Sequence, residues 1–169
     1  FEAWVHCIGA IQPQPIKYLN PKGNQDLFAV NYFSATELAS KLLSLKKMQR
    51  FGSIVFLSSV SSHYPYRGGA TYAASKAALE TFSKALALEC SHLPIRVNSV
   101  VCGLIRSTML DRSVAHLDQN QEDKLLAKYP LGIGEPKDVA NACIFLLSNE
   151  ARWITGSQLL LDGGLMLNS

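Results

Sequence analysis

The pattern of apolar and polar residues divides the chain into two main kinds of stretch. Four short, nearly continuous apolar runs, each beside a glycine or a proline, predict buried strands: residues 3–8, 53–58, 95–101 and 157–161. Three longer stretches repeat apolar residues at helical spacing and predict helices: residues 26–48, 71–91 and 138–147. Residues 104–130 are polar and irregular, and the pattern there predicts one short helix at 122–129.

Strands that alternate with helices of this length predict an α/β fold with a parallel sheet, in a single domain over residues 1–169. In such a sheet, ligands bind beyond the carboxyl ends of the strands. Gly9, Ser59 and Gly103 each stand at such an end. Three separate stretches are therefore expected to converge on one crevice.

Composition narrows the class of protein. The chain has 169 residues, of which 48% are hydrophobic and 17% charged, a balance that indicates a globular domain with a buried core. Its net charge of +3 is mild and its basic residues are scattered, which argues against a nucleic-acid partner. No apolar run approaches the ~18 residues of a membrane span, and the N-terminus lacks the basic region of a secretory signal.

Cysteine spacing bears on metal binding and on the cellular compartment. The four cysteines, Cys7, Cys90, Cys102 and Cys143, are far apart in the sequence and form no cluster with histidine at metal-ligand spacing. We interpret them as buried, reduced thiols. Such thiols fit a reducing compartment, so the sequence predicts a cytoplasmic protein without a bound metal.

A tyrosine and a lysine at the start of the second long helix carry the candidate chemistry. Tyr72 and Lys76 are four positions apart, so they project from the same helical face, just after the strand that ends at Ser59. A free tyrosine has a pKa of about 10, so only ~0.1% is phenolate at neutral pH, and a neighbouring ammonium favours that phenolate. With a serine hydroxyl to hold a substrate oxygen, this trio suits proton transfer at a C–O centre.

The spacing alone is a weak signal, because Tyr18 and Lys22 share it. Pro21 lies between those two residues and makes a common helix unlikely to continue through them. A tyrosine–lysine pair on a helix is also more often structural than catalytic. The strand that ends in serine, followed by a small-residue loop, is what distinguishes Tyr72 and Lys76.

Several motifs occur together along nearly the whole chain: Val30-Asn31, Ser59, Tyr72-Ala73-Ala74-Ser75-Lys76, Ile95-Arg96-Val97-Asn98, Thr155-Gly156 and Asp162-Gly163-Gly164. In this combination the chain resembles the short-chain dehydrogenase/reductase family, and within it the 3-oxoacyl-[acyl-carrier-protein] reductase-like members. The resemblance implies a Rossmann-like, doubly wound parallel sheet. It also implies an NAD(P)-dependent oxidoreductase that transfers a hydride between a nicotinamide and a carbonyl or alcohol substrate.

The resemblance also implies a role for each matching residue. Tyr72 would be the acid/base, and Lys76 would lower its pKa and hold the nicotinamide ribose. Ser59 would position the substrate oxygen, and Asn31 would hold a water in a proton relay. Besides Tyr72 and Lys76, four residues would contact the cofactor: Gly9, Gly103, Ile105 and Ser107.

The resemblance further implies where the substrate binds and how the protein assembles. Residues 104–130 would form a substrate lid. Four residues of the lid and of the loop before the helix are candidate substrate contacts: Ser61, His63, Tyr66 and Met109. A homodimer or homotetramer is expected, and neither nucleic acid nor membrane is an expected partner.

The chain departs from the family pattern at the cofactor. The family's Asn-Asn-Ala-Gly is His6-Cys7-Ile8-Gly9 here, its Pro-Gly is Cys102-Gly103, and its threonine is Ser107. No G-x-G-x-x-G motif occurs, so the residue that separates NAD from NADP cannot be identified. We therefore expect the N-terminal half of the fold to lie outside this sequence, in a longer polypeptide or a partner piece. The alternative to an enzyme is a non-catalytic, truncated family member that retains the fold and the oligomer interfaces.

Overall fold

The structure is a computed structural model that describes residues 1–114 and 118–168. Its four strands form one parallel sheet in the order β1-β2-β3-β4: β1 (Ala3–His6), β2 (Ser53–Ser59), β3 (Arg96–Cys102) and β4 (Gln158–Leu161). Each strand pairs with the next one in the sequence, in registers such as Val55 opposite Asn98. The parallel α/β sheet predicted from the apolar runs is confirmed.

In the described residues, six α-helices connect the strands: α1 (Pro21–Phe28), α2 (Ser34–Ser44), α3 (Ala70–Glu89), α4 (Thr108–Val114), α5 (Gln119–Leu126) and α6 (Pro136–Leu147). A π-helical segment, Ala29–Phe33, joins α1 directly to α2. Short 3-10 turns complete the described part of the chain: Ile16–Tyr18, Val60–Ser62, Cys90–His92, Asn149–Ala151 and Leu165–Asn168. Within that part, no helix combines the length and hydropathy needed to cross a bilayer.

The sheet is covered by helices on both faces, because successive side chains of a strand point in opposite directions. Ile54 and Phe56 of β2 pack with Leu79 of α3 on one face, where α2 also contributes to the core. Val55, between them in sequence, packs with Leu146 of α6 on the opposite face. The continuous apolar run of β2 is therefore the sequence signature of a strand buried on both sides.

Arg96 and Asn98 of β3 tie the strand to the C-terminal segment. The Arg96 guanidinium donates to the carbonyls of the last turn of α6, with Nη1 to Leu146 O at 2.6 Å and Nη2 to Ser148 O at 3.0 Å. Asn98 donates from Nδ2 to Ile154 O and accepts from the Ser157 amide. These contacts hold the last turn of α6 and the segment before β4 against the amino-terminal half of β3.

Two helix predictions were wrong in their bounds. The helix expected at 26–48 begins at Pro21 and ends at Ser44, because the Asn20 side chain caps it by accepting from the Gly23 amide and because Lys46 has a φ of 52°. Residues 104–130 contain α4 and α5 rather than one helix at 122–129. Asp118 and Gln121 form a capping box that starts α5 earlier than hydrophobicity suggests.

Candidate active site

The carboxyl ends of β1, β2 and β3 open into one cleft of about 1040 Å³. Ten of the twelve residues predicted for the site line it: Gly9, Ser59, Ser61, Tyr66, Tyr72, Lys76, Gly103, Ile105, Ser107 and Met109. Asn31 and His63 do not. The convergence expected from the strand ends is therefore present, since loops after three separate strands contribute to one concave surface.

Tyr72 and Lys76 lie side by side in the first turns of α3. Both are buried, with 8% and 5% of their surface exposed, yet both reach the cleft. Lys76 donates from Nζ to the Leu57 carbonyl at 2.9 Å, and the same nitrogen lies 5.9 Å from the centroid of the Tyr72 ring. The pair Tyr18 and Lys22 has no such geometry, because Pro21 begins α1 between them.

Burial sets the electrostatics of this pair. It lowers the pKa of Lys76 to about 8, while interactions with Cys102 and Glu80 act in the opposite direction. Burial also raises the pKa of Tyr72, and hydrogen bonding by the Ser59 side chain lowers it. A lysine with a pKa of about 8 is mostly protonated at neutral pH, so an ammonium lies 5.9 Å from the centroid of the Tyr72 ring.

Ser59 ends β2 and caps the short turn that follows. Its Oγ accepts from the Ser61 amide at 3.2 Å and lies 3.0 Å from the Ser61 hydroxyl. The Ser62 hydroxyl donates to the Ser59 carbonyl at 2.7 Å. Local hydrogen bonds thus hold the Ser59 side chain in a fixed turn at the mouth of the cleft.

Asn31 is fully buried in the π-helical segment behind the cleft. Its Oδ1 accepts from the Ala10 amide at 2.7 Å, and its Nδ2 donates to the Ala10 carbonyl and to Ser75 Oγ, both at 3.0 Å. The Ser75 hydroxyl in turn donates to the Tyr72 carbonyl. Asn31 therefore links the loop after β1 to the helix that carries Tyr72 and Lys76. Single π turns of this kind are frequent at functional sites.

Two glycines allow close approach of the backbone around the cleft. A Cβ on Gly9 would lie 3.3 Å from Lys76 Nζ and 3.6 Å from Asn31 Oδ1. A Cβ on Gly103 would lie 2.9 Å from the Cα of Asp162, a distance that real Cβ atoms do not tolerate. A side chain at Gly9 would therefore crowd Lys76, and one at Gly103 would collide with the backbone of Asp162.

The segment after Gly103 forms the far wall. Ile105 pairs with Gly134 in an isolated parallel bridge, and the Ser107 hydroxyl donates to the Ile105 carbonyl at 3.1 Å. Met109 is half-buried on α4 and also lines the cleft. Of the segment predicted as a lid, residues 115–117 lie outside the described residues.

Tyr66 and His63, the two candidate substrate contacts in the loop before α3, differ in position. Tyr66 lines the cleft, and burial raises its pKa to about 12, with Tyr72 acting in the same direction. His63 instead places Nε2 3.0 Å from Oε2 of Glu80. The expected contact of His63 with substrate is therefore not supported by its position.

Glu80 is the residue that sequence reasoning missed. Its carboxylate is buried on α3, one turn after Lys76, and it accepts hydrogen bonds from Ser58, Ser62 and Gln158. The signal was present in the sequence, because a charged residue four positions after Lys76 falls on the same buried helix face. Within the described residues, no group of three His, Cys, Asp or Glu side chains is placed to hold a metal ion.

Comparisons with known proteins bear on the family and the fold. The profile of the family described as "Enoyl-(Acyl carrier protein) reductase" matches residues 1–166. The 3-oxoacyl-[acyl-carrier-protein] reductase FabG of Rickettsia felis is 39% identical over 127 residues, which are 73% of this chain and 51% of that protein. The inactive 2-(S)-hydroxypropyl-CoM dehydrogenase 2 of Xanthobacter autotrophicus is 40% identical over 143 residues, 82% of this chain and 62% of that one.

A solved structure extends the likeness to three dimensions. A mutant 4-hydroxyisoleucine dehydrogenase complexed with NADH and succinate is 27% identical and superposes with a TM-score of 0.89, over 98% of this chain and 68% of that chain. The chain spans about half to two thirds of the length of these relatives. The family profile, the fold and the curated relatives agree, and the chain belongs to the short-chain dehydrogenase/reductase family of oxidoreductases.

Proposed function

We propose that this chain carries the acid/base half of an NAD(P)-dependent reductase that acts on carbonyl or alcohol substrates, with 3-oxoacyl thioesters as the first class to test. The observation that carries the proposal is the buried Tyr72–Lys76 pair beside Ser59 at one cleft. Similarity to a 3-oxoacyl-[acyl-carrier-protein] reductase supports the substrate class.

The proposed chemistry uses three side chains. In the reducing direction, the Tyr72 phenol donates its proton to the substrate oxygen, which the Ser59 hydroxyl holds in place. The Lys76 ammonium favours the phenolate that this step leaves on Tyr72. In the oxidising direction, the phenolate takes the proton back from the alcohol.

The residues present fit the nicotinamide end of a dinucleotide. Gly9 and Gly103 line the cleft together with Tyr72 and Lys76, whose ammonium lies 5.9 Å from the centroid of the Tyr72 ring. Ile105 and Ser107 supply the adjoining wall. When bound, the nicotinamide supplies or accepts the hydride. Neither NAD nor NADP is favoured by the residues of this chain, and none of them is assigned to the pyrophosphate.

An apolar surface supports assembly as a homodimer or homotetramer. A groove of about 530 Å³ runs along α3 and the π-helical segment, lined by Tyr32, Ala77, Ala78, Thr81, Phe82 and Ala85. Small side chains of this kind let helices of two subunits pack closely. Sedimentation analysis tests the assembly, and Ala78→Glu is expected to lower the measured mass.

Cofactor titration tests the function. NADH and NADPH are titrated separately into the wild-type chain, Tyr72→Phe and the control Tyr18→Phe, and nicotinamide fluorescence is followed. Acetoacetyl-coenzyme A is then supplied with the nucleotide that binds. We expect saturable binding in all three proteins and a loss of turnover of about 10²–10⁴-fold in Tyr72→Phe alone.

The second candidate function is a non-catalytic family member. It is favoured by 40% identity to a relative whose name describes it as inactive. Failure of the wild-type chain to bind either nucleotide would overturn an enzyme activity of this 169-residue chain by itself and support this candidate. Equal turnover by wild type and Tyr72→Phe would remove Tyr72 from the mechanism.

A further inference from the structure

Glu80 is a buried carboxylate with four partners. Only 4% of the residue is exposed. Oε1 accepts from the Ser58 hydroxyl at 2.5 Å and lies 2.6 Å from the Ser62 hydroxyl, whose single proton it shares with the Ser59 carbonyl. Oε2 accepts from Gln158 Nε2 at 2.5 Å and lies 3.0 Å from His63 Nε2. A buried charge is costly unless it is hydrogen-bonded, and this one has donors on both oxygens.

The partners of Glu80 flank the candidate substrate-binding serine. Ser58 precedes Ser59, and Ser62 follows it at the end of the turn. The Ser62 hydroxyl touches both the Glu80 carboxylate and the Ser59 carbonyl. One oxygen of Glu80 therefore ties both sides of the Ser59 turn to α3, the helix that carries Tyr72.

We propose that Glu80 is a positioning residue that holds the Ser59 turn in register with Tyr72 and maintains the charge of Lys76. The proposal rests on the function proposed for this cleft, because it explains how its candidate groups are kept together. Glu80 does not line the cleft, so it acts through Ser59 and Lys76 rather than on a substrate.

Electrostatics supports the second part of the proposal. The charge of Glu80 raises the pKa of Lys76 and so offsets part of the effect of burial. Other groups that act on Lys76 are Cys102 from β3 and His6 from β1, besides Tyr72 on its own helix. Glu80 is the carboxylate among these groups, so its removal makes the protonated form of Lys76 less favourable.

The test compares Glu80→Gln with Glu89→Gln. Glu89 is exposed at the other end of α3, so both variants remove one negative charge from the same helix. In Glu80→Gln, one side-chain oxygen still accepts from the serines. The amide nitrogen of the new glutamine replaces Oε2. It is a donor that faces the donor Nε2 of Gln158, so the hydrogen bond between these two side chains is lost.

Two NMR readouts apply to the full chain without any nucleotide. The first is the titration of Lys76 in ¹³Cε-lysine-labelled protein, with the resonance assigned by Lys76→Arg. The second is exchange of the Ser61 amide, which donates to Ser59 Oγ. We expect Glu80→Gln to lower the midpoint of Lys76 by about one pH unit. Because the oxygen that accepts from the serines is kept, Ser61 exchange in this variant is expected to stay close to wild type. Glu89→Gln is expected to change neither.

A third variant, Ser62→Ala, separates the two effects. It removes one tie to the turn but keeps the Glu80 charge, so Ser61 exchange is expected to accelerate while the Lys76 midpoint stays in place. It also provides the turn readout if Glu80→Gln does not fold. An unchanged Lys76 midpoint in folded Glu80→Gln overturns the proposal, as does unchanged Ser61 exchange in Ser62→Ala. These outcomes are independent of whether the wild-type chain binds NADH or NADPH.

Discussion

Replacement of Asn31 by alanine tests whether this buried amide holds the site together. The Asn31 side chain makes three hydrogen bonds, two to the Ala10 backbone and one to Ser75, and it has no solvent exposure. Each such bond contributes about 0.5–1.5 kcal/mol net. Ala10 is half-buried, so water can replace part of what its backbone loses. We expect Asn31→Ala to lower the free energy of unfolding by about 2–3 kcal/mol.

Urea denaturation followed by circular dichroism measures this loss. Asn141→Ala is the matched control, because Asn141 is exposed on α6 and its replacement is expected to change stability by less than about 0.5 kcal/mol. A double-mutant cycle with Ser75→Ala isolates the amide–hydroxyl bond and should give a coupling of about 1 kcal/mol. A loss in Asn31→Ala no larger than in the control would refute the structural role assigned to Asn31.

Three further changes test other parts of the structure. Burial lowers the pKa of His6 below its usual 6.5, so the contribution of His6 to stability is complete above pH 6.5 and is lost as pH falls. His6→Gln should therefore make the thermal unfolding midpoint depend less steeply on pH below 6.5, and an unchanged pH dependence would contradict this. Arg96→Met removes the donors to the carbonyls in the last turn of α6 and should lower the free energy of unfolding in urea by about 1–3 kcal/mol. A urea midpoint equal to that of the wild type would contradict a stabilising role for these hydrogen bonds. Gly103→Ala brings a Cβ within 2.9 Å of Asp162 and should cost about 1–3 kcal/mol. In the exposed control Gly132→Ala the Cβ meets no atom within 4 Å, so a loss there measures only the strain of its left-handed φ.

The candidate site was predictable where local rules apply. Tyr72 and Lys76 are four positions apart, so a helix places them on the same face, and the apolar repeat of the segment predicts that helix. Ser59 follows directly from the end of the apolar run of β2. Each of these assignments needs only neighbouring residues, and each falls at the cleft in the structure.

Assignments that depend on distant partners were incomplete. The pattern around Asn31 indicates an ordinary helix, whereas the structure has a π-helical segment there, in which Asn31 bonds to Ala10 and Ser75. His63 looks like a pocket residue from its loop position. Its partner, Glu80, lies 17 positions further along the chain, on α3.

The sequence by itself determined the order of strands and helices, the parallel sheet and the residues that stand at its carboxyl edge. These depend on periodicity, which a single chain displays without reference to its fold. Only the tertiary structure decided which polar groups meet there: Asn31 with Ala10, Glu80 with the Ser59 turn, and Arg96 with the end of α6. The physical reason is that a buried polar group must find a donor or an acceptor in space, and its partner can come from anywhere in the sequence.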